Sequence, residues 1–303
     1  MTQDGRLWTQ QGLPAEALEA LASGLPASRL WSVLLGVLEA RASRRAAASL
    51  REQWAKDRFV QPCCVDQRTL HEVDGHLLAA SAAFEAVELS PLAPLGVCSS
   101  VALASQNKIV STARGTEVVS DPTNALALEC ARRLKEDSRL QVRLATSHRC
   151  VRAQDFPKLP GFAAHFRMFC LVSAGHEREN REFLSGALAD HVNTHLAALE
   201  RLARHGYRTQ GRKVRLLATE RNVQLAERVA RSVNAEVHHQ ALEHSYYDGI
   251  RFMIDVKVDQ DSEMPLIDGG AFDWLHKLCS NNKLTFVASG MGTQLVACLL
   301  RPR

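Results

Sequence analysis

The sequence lacks the long apolar run that a membrane-spanning helix requires, since no stretch approaches the roughly 18 apolar residues of such a helix. Its N-terminus, MTQDGRLWTQQG, is polar and has no apolar core of the kind that signal peptides carry. Lysine and arginine are interspersed with acidic residues, and no basic block indicates a nucleic-acid-binding surface despite the net charge of +4. We therefore expect a cytoplasmic protein with a small-molecule ligand and no contact with a membrane.

Metal-binding cysteine patterns are also missing. The eight cysteines include one adjacent pair, Cys63 and Cys64, and are otherwise scattered without a C-x-x-C motif. His238 and His239 are adjacent, but no third ligand follows at a suitable spacing. This pattern is typical of a cytosolic protein with reduced thiols, and we predict no metal site.

The sequence does contain enough apolar mass for a sizeable core, with 46% hydrophobic and 23% charged residues. Residues 14–58 are rich in alanine, leucine and arginine, and apolar residues between Leu30 and Leu38 recur at helical spacing. Pro26 precedes them and predicts a helix start. We therefore divide the chain into an N-terminal helical extension, residues 1–65, and a larger domain, residues 66–303.

The larger domain alternates helices with strands in an order that favours an α+β fold over a doubly wound parallel sheet. Two β-rich runs separated by a loop with proline and glycine predict a long antiparallel hairpin. The predicted order is a helix at 69–83, a short strand ending before Pro91, a helix that begins after Asp121, β-rich runs at 141–155 and 165–175, a helix ending near Gly206, a β-α-β segment from 213, and a strand and helix after 284.

Six short segments occur in an order and spacing found in one known family. These segments are FEAVELSPL (84–92), EVVSDPTNALALECARR (117–133), RCVRAQDFPKLPGFAAHFRMF (149–169), SYYDGIRFMI (245–254), DGGAFDWL (268–275) and VASGMGTQL (287–295). Together they resemble the catalytic domain of a class II aminoacyl-tRNA synthetase, most closely the histidyl type. The regulatory subunit of ATP phosphoribosyltransferase is an equally near relative. The resemblance covers roughly residues 66–300 and implies a mostly antiparallel sheet flanked by helices.

The resemblance implies a substrate site next to an ATP site. Asp121 and Thr123 match the residues that hold the substrate α-amino group. Arg152 matches the arginine that grips the substrate carboxylate and the α-phosphate of ATP, and it is the implied catalytic residue. The other matched substrate positions are Tyr246, Tyr247, Gly269 and Gly270, and the other matched ATP positions are Gln154, Arg167, Gly290 and Gly292. ATP and magnesium follow as implied cofactors, and the segment around Pro91 implies a homodimer.

Each matched residue also has an ordinary structural interpretation. Asp121 and Thr123 suit a helix N-terminus, and Arg152 and Arg167 suit a solvated strand face. Adjacent strand residues point to opposite faces, so only one tyrosine of the pair would line a pocket, and we favour Tyr247. The glycines suit turns and bulges as well as the close approach of backbone to a ligand.

The departures from the family pattern concern charge. The third-motif arginine that supports ATP is Leu295, and the histidyl-specific arginine before the tyrosines is Leu242. Other changed positions are Gln154, His165, Leu171, Ala271 and Phe272. The loss of one preorganised donor costs on the order of 3 kcal/mol, about a hundredfold in rate. These changes argue against ordinary histidine adenylation.

Three functions remain open at this point. The first is a synthetase paralogue that keeps an amino-acid-like pocket, with or without ATP-dependent carboxylate activation, and does not charge tRNA. The second is a non-catalytic regulatory or ligand-sensing subunit, like that of ATP phosphoribosyltransferase. The third is a true synthetase. The missing arginines argue against it, and so does the end of the sequence at Arg303, where we expect no anticodon-binding domain and no tRNA partner.

Overall fold

The computed structural model describes residues 12, 14–157, 159–243, 246–258 and 262–301. The strands are β1 (Glu85–Ala86), β2 (Leu92–Pro94), β3 (Thr116–Val118), β4 (Val142–Val151), β5 (His165–His176), β6 (Lys213–Ala218), β7 (Val237–Ala241), β8 (Ile250–Lys257), β9 (Glu263–Phe272) and β10 (Leu284–Met291). Eight of them form one sheet in the order β1-β4-β5-β10-β9-β8-β6-β7, and β2 pairs with β3. Only the β1–β4 and β6–β7 pairs of the large sheet are parallel. The sheet is therefore mostly antiparallel, as predicted.

Helices lie on both sides of this sheet. They are α1 (Ala15–Glu19), α2 (Ala27–Ala42), α3 (Ala47–Lys56), α4 (Gln67–Ala80), α5 (Val97–Val101), α6 (Pro122–Glu136), α7 (Glu182–Arg204), α8 (Val223–Arg231), α9 (Trp274–Cys279) and α10 (Thr293–Leu295). Turns of π-helix continue α1 through Gly24 and α10 through Leu300, and short 3₁₀ turns occupy Gln106–Lys108, Glu179–Arg181 and Glu220–Asn222. Within the described residues, no helix is long and apolar enough to cross a membrane.

Alternation along the strands produces two apolar layers, one on each face of the sheet. Phe169 and Leu171 of β5 point into the layer that α4, α7 and α8 cover. Cys170 and Val172 point into the layer that α5, α6 and α9 cover. The long β4–β5 hairpin therefore contributes to both layers, and each buried aliphatic side chain stabilises the fold by roughly 1.5–3 kcal/mol.

The helices α1 to α3 lie within the predicted N-terminal extension, of which residues 1–11 and 13 are outside the described part. Neither α2 nor α3 contains a buried residue, and Val37, Leu38 and Trp54 expose about half of their surface, at 51%, 53% and 56%. Trp31 packs next to Gly115, where an added Cβ would lie 3.1 Å from the indole. These helices therefore touch the larger domain without entering its core.

The strand predicted before Pro91 is shorter than expected. Only Glu85–Ala86 is a strand there, although the Val87 amide still donates to the Ala145 carbonyl at 2.9 Å. The next strand begins after the proline, at Leu92, whose amide donates to the Ser90 hydroxyl at 3.2 Å. Proline has no amide hydrogen and separates the two pairings.

Candidate functional site

A cavity of about 590 Å³ lies on the α6 side of the large sheet. Strands β5, β8, β9 and β10 form its base, and the N-terminus of α6 and the loop between β4 and β5 form two of its sides. A third side comes from the tyrosine pair that precedes β8. Of the residues that the sequence analysis matched to the substrate or ATP site, Gly270 does not border this cavity. The others do, and they are Asp121, Thr123, Arg152, Gln154, Arg167, Tyr246, Tyr247, Gly269, Gly290 and Gly292.

Asp121 combines a structural contact with a charge at the cavity. Its Oδ1 accepts from the Thr123 amide at 3.0 Å and from the Thr123 hydroxyl at 2.7 Å, which caps α6 as the sequence predicts. Its Oδ2 lies 3.6 Å from Nη2 of Arg152. The capping interpretation and the ligand-binding interpretation are therefore compatible, because each uses a different carboxylate oxygen.

Arg152 follows β4 and reaches toward the helix N-terminus. Its Nε donates to the Ser120 carbonyl at 2.9 Å, and its guanidinium lies 5.1 Å from the centre of the Phe166 ring. Among the described residues, the contacts of the Nη2 atom are long, 3.6 Å to Asp121 and 3.7 Å to the sulfur of Met168. One end of the guanidinium is therefore fixed, and the other end keeps donors for an anionic group.

The tyrosine pair does not lie in a strand, which corrects the prediction for this segment. Strand β8 begins only at Ile250, after Gly249 has turned the chain at a φ of +75°. Ser245 and His244 lie outside the described residues. Because the chain turns here, the alternation of strand side chains does not apply, and Tyr246 and Tyr247 both border the cavity. Our expectation that only one tyrosine would do so was therefore wrong.

Aromatic rings form one wall of the cavity. The Tyr247 ring centre lies 5.0 Å from that of Phe272, and the Tyr246 ring centre lies 5.4 Å from it. Trp274 stacks on Phe272 with the two ring centres 4.1 Å apart. Burial raises the pKa of Tyr247, and the nearby Asp268 carboxylate raises it further, so the phenol stays neutral.

A charged pair beneath the tyrosines was missed by sequence reasoning. Arg251 donates to both carboxylate oxygens of Asp268, at 2.8 and 2.7 Å, and its guanidinium lies 5.1 Å from the Tyr247 ring centre. The two residues are diagonal neighbours across β8 and β9, since Arg251 faces Gly270 and Asp268 faces Met253. The only sequence signal was an arginine and an aspartate in two neighbouring alternating runs, which does not reveal register.

The four glycines that were matched to the site, Gly269, Gly270, Gly290 and Gly292, each lie close to a different side chain. A Cβ at Gly270 would lie 2.6 Å from the Tyr247 ring, so this glycine makes room for the tyrosine. A Cβ at Gly269 would point away from the cavity and lie 2.4 Å from that of Ser289. Gly290 approaches Met168, and Gly292 approaches Leu295. Direct contact of these glycines with a ligand stays a prediction.

Two of the ATP-site candidates differ in how free their side chains are. Gln154 borders the cavity, and its side chain makes none of the hydrogen bonds found among the described residues. Arg167 instead donates through Nε to Asp74 of α4 at 2.6 Å and to the Ser147 hydroxyl at 3.2 Å. Because Asp74 and α4 lie on the opposite face of the sheet, the Arg167 guanidinium is directed away from the cavity.

The positions that depart from the family pattern have taken up packing contacts. A Cβ at Gly161 would lie 2.9 Å from a methyl group of Leu295, so this leucine packs against the β4–β5 loop. His165 bridges two segments, since its Nδ1 accepts from Arg149 at 2.9 Å and its Nε2 donates to the Gln61 carbonyl at 2.7 Å. Leu242 does not border this cavity and is buried at the end of β7, with 8% exposure.

Small polar groups at the N-terminus of α6 were also missed. The Cys98 sulfur lies 3.1 Å from the Ser120 hydroxyl and accepts from Asn124 Nδ2 at 3.2 Å. All three residues border the cavity, and burial raises the pKa of the Cys98 thiol. Within the part of the chain that the structure describes, no group of three or more His, Cys, Asp or Glu side chains could hold a metal ion.

Comparison with known proteins gives structural matches alone. No protein-family model matches the chain, and no curated protein matches it. The ATP phosphoribosyltransferase regulatory subunit/histidyl-tRNA synthetase from Bacillus halodurans C is 14% identical with a TM-score of 0.57, over 78% of this chain and 82% of that one. A histidine–tRNA ligase subunit from Alicyclobacillus acidocaldarius is 12% identical with a TM-score of 0.55, over 77% and 92%.

The apo histidyl-tRNA synthetase of S. aureus also matches, at 9% identity and a TM-score of 0.55, over 76% of this chain and 64% of that one. The chain thus spans less than two thirds of that enzyme. At such low identities the likeness concerns the fold. The chain has the class II synthetase-like fold that the six sequence segments predicted, and its neighbours include both the histidyl enzymes and the regulatory subunit.

Proposed function

We propose that the cavity binds an amino acid, or a closely related small molecule with one ammonium and one carboxylate group. The observation that carries this proposal is the pair formed by Asp121 and Arg152, whose opposite charges face each other at 3.6 Å. Charge-assisted hydrogen bonds are about 2.7–2.9 Å long, so this pair is not closed. A zwitterion complements both charges at once.

The aromatic wall supports a ligand whose side chain is apolar or aromatic. The side chain would extend from the charged pair toward Tyr247 and Phe272, whose ring centres are 5.0 Å apart. Aromatic rings interact favourably at separations of about 4.5–7 Å, so a third ring is accommodated in the same arrangement. The Arg251–Asp268 pair satisfies both of its charges internally and leaves no net charge to attract a charged side chain.

The resemblance also implied ATP and magnesium, but of the three described arginines that border the cavity only Arg152 keeps free donors, and Lys108 is a further cation on its border. Arg152 has free donors, whereas the guanidinium groups of Arg167 and Arg251 are held by carboxylates at 2.6 and 2.7 Å. At the position of the ATP-supporting arginine, Leu295 packs against Gly161. A triphosphate needs several fixed cations, so we propose ligand binding without nucleotide as the first function. The protein then acts as a ligand-sensing subunit.

Carboxylate activation with ATP is the second candidate, because Arg152, Gln154 and Gly290, which match ATP positions of the synthetase pattern, border the same cavity. The two candidates differ in an observable product. An activating enzyme exchanges pyrophosphate into ATP in the presence of its amino acid, whereas a sensor does not.

Thermal unfolding with a panel of amino acids tests the proposal. We expect one or a few amino acids to raise the melting temperature, and the Arg152→Ala and Asp121→Asn variants to bind about tenfold to a hundredfold more weakly. Arg132→Ala is the matched control, since Arg132 is on the exposed side of α6. If no amino acid stabilises the wild type, or if Arg152→Ala binds as tightly, the proposal is wrong. Pyrophosphate exchange in the same samples separates the two candidates.

We also propose that the protein is a homodimer through the segment around Pro91. Leu92 in β2 is 43% exposed, and Leu95, directly after β2, is 41% exposed. Leu103, which follows α5, is 75% exposed. Contact between two such surfaces would remove these apolar side chains from water.

A further inference from the structure

Asn124 is a buried side chain at the edge of the cavity, and one of its polar atoms is unpaired. It exposes only 2% of its surface and borders the cavity. Its Nδ2 donates to the Cys98 sulfur at 3.2 Å, whereas its Oδ1 has no hydrogen-bond partner among the described residues. Of the described residues with such a buried, unpaired atom, only Asn124 borders the cavity. Because buried polar groups nearly always have a partner, this oxygen indicates a position where a ligand donor binds.

The Asn124 side chain lies at the same end of α6 as the Asp121 carboxylate. The backbone amide of Asn124 donates to the Asp121 carbonyl at 3.3 Å, within the first turn of the helix. The side chain is linked to this end as well, because the Cys98 sulfur that it contacts lies 3.1 Å from the hydroxyl of Ser120, the residue before Asp121. The unpaired oxygen therefore lies within one helical turn of the carboxylate that faces Arg152 in the proposed zwitterion site.

The ammonium group of an amino acid has three N–H donors and is fully paired only by three acceptors. Asp121 supplies one acceptor through Oδ2, because its Oδ1 already accepts from the Thr123 amide and hydroxyl. The Thr123 hydroxyl supplies a second, since its hydrogen is directed to Asp121 and its oxygen keeps a lone pair. Oδ1 of Asn124 is the third acceptor, and all three residues border the cavity.

We propose that Asn124 selects ligands with an unsubstituted amino group, by accepting the third N–H of the ligand ammonium. The proposal rests on the amino-acid binding proposed above and narrows the ligand class to primary amines. A substituent on the nitrogen replaces one donor with carbon and leaves a buried acceptor unpaired, which costs more than the lost hydrogen bond itself. N-methyl amino acids, N-acyl amino acids and proline are therefore poor ligands.

A purely structural role for Asn124 predicts a different stability of the unliganded protein. Leucine has nearly the same shape as asparagine and no polar atoms, so Asn124→Leu removes the unpaired acceptor together with the contact to Cys98. Removal of an unpaired buried acceptor relieves its unfavourable desolvation and offsets the loss of one weak N–H···S contact. We therefore expect the melting temperature of unliganded Asn124→Leu to stay within about 2 °C of that of the wild type.

Thermal unfolding with the common L-amino acids identifies the one that stabilises the wild type most, and isothermal titration calorimetry then compares it with its N-methyl derivative. We expect the wild type to bind the primary amine about tenfold more tightly, and proline not to stabilise it. Asn124→Leu should bind the primary amine about tenfold more weakly, and its preference over the N-methyl derivative should fall to about twofold. Asn282→Leu is the matched control, since Asn282 is exposed and does not border the cavity, and it should keep both affinities.

The outcomes separate this proposal from amino-acid binding itself. If an amino acid stabilises the wild type and Asn124→Leu keeps the wild-type preference for the primary amine, Asn124 does not select the amino group, and amino-acid binding stands. A fall in affinity for both ligands by the same factor, with a lower melting temperature of the unliganded variant, assigns Asn124 a structural role and also overturns the proposal. If no amino acid stabilises the wild type, both proposals are wrong.

Discussion

The buried histidines behind the cavity make the stability of this protein dependent on pH. His191 and His195 of α7 are both fully buried on the face of the sheet opposite the cavity. The Ser289 hydroxyl lies 2.9 Å from Nδ1 of His191 and 2.8 Å from Nε2 of His195, and Nε2 of His191 lies 3.0 Å from the Ser173 hydroxyl. Burial lowers the pKa of both rings, for His195 from 6.5 to about 3. Both histidines are therefore neutral in the folded protein.

The direction of the pH effect follows from proton uptake. An unfolded histidine binds a proton near pH 6.5, whereas the buried ring does not, so the unfolded state binds more protons as the pH falls from 7 to 5. The contribution of each buried histidine is therefore complete above pH 6.5 and is lost progressively below it. For His195, with a folded pKa of about 3, the free energy of unfolding falls by about 2 kcal/mol between pH 8 and pH 5.

Urea unfolding followed by tryptophan fluorescence at pH 8, 7, 6 and 5 measures this loss. His195→Gln removes the titratable ring and keeps an amide that can donate to Ser289, so its loss between pH 8 and pH 5 should be smaller by about 2 kcal/mol. His238→Gln is the control, because His238 is exposed on β7 and should not change the pH dependence. Equal losses in the wild type and in His195→Gln would refute the reasoning.

Two further outcomes are expected. Light scattering should give about twice the chain mass of 33.4 kDa for the wild type, and a monomeric wild type contradicts the homodimer proposal. The double variant Leu92→Asp/Leu95→Asp should give the mass of a single chain. Leu140→Asp is the control, because Leu140 is equally exposed but lies outside the β2–β3 ribbon, and it should stay dimeric. Arg167→Ala should lower the free energy of unfolding by about 3 kcal/mol or more, because it leaves the Asp74 carboxylate buried without its cation. Removal of the exposed Arg139 in the same unfolding assay should have little effect, and equal losses would mean that the Asp74 pair does not stabilise the fold.

The features that could be predicted from sequence are those that depend on neighbouring residues. The start of α6 depends on two neighbouring residues, Asp121 as the N-cap and Pro122 at the first helical position, and the structure confirms this start. The β4–β5 hairpin depends on alternation around a loop, and it is confirmed as well. The tyrosine segment was predicted as a strand because alternation continues into β8. The turn at Gly249 interrupts it before Ile250, and nothing in the apolar pattern marks that boundary.

Features that depend on register between distant strands were not predictable in this way. The Arg251–Asp268 pair requires β8 and β9 to be aligned so that Met253 faces Asp268, and a register shift between Ile254 and Asp255 alters the count along the strand. The direction of Arg167 is also a matter of register. Its neighbour Met168 points to the cavity, so Arg167 must point to α4, where Asp74 binds it.

The strand registers determine which side chains face the cavity. They therefore affect ligand binding more than the types of residue in the sequence do. A sequence comparison counts Arg152 and Arg167 as two retained arginines, yet the folded chain directs only the donors of Arg152 into the cavity and pairs the other guanidinium with Asp74. Leu295 removes a third cation and fills its place with a methyl group against Gly161. The unbound end of the Arg152 guanidinium opposite the Asp121 carboxylate matches a zwitterion, because each ligand charge then meets one protein charge. This balance is why we place amino-acid binding before nucleotide chemistry.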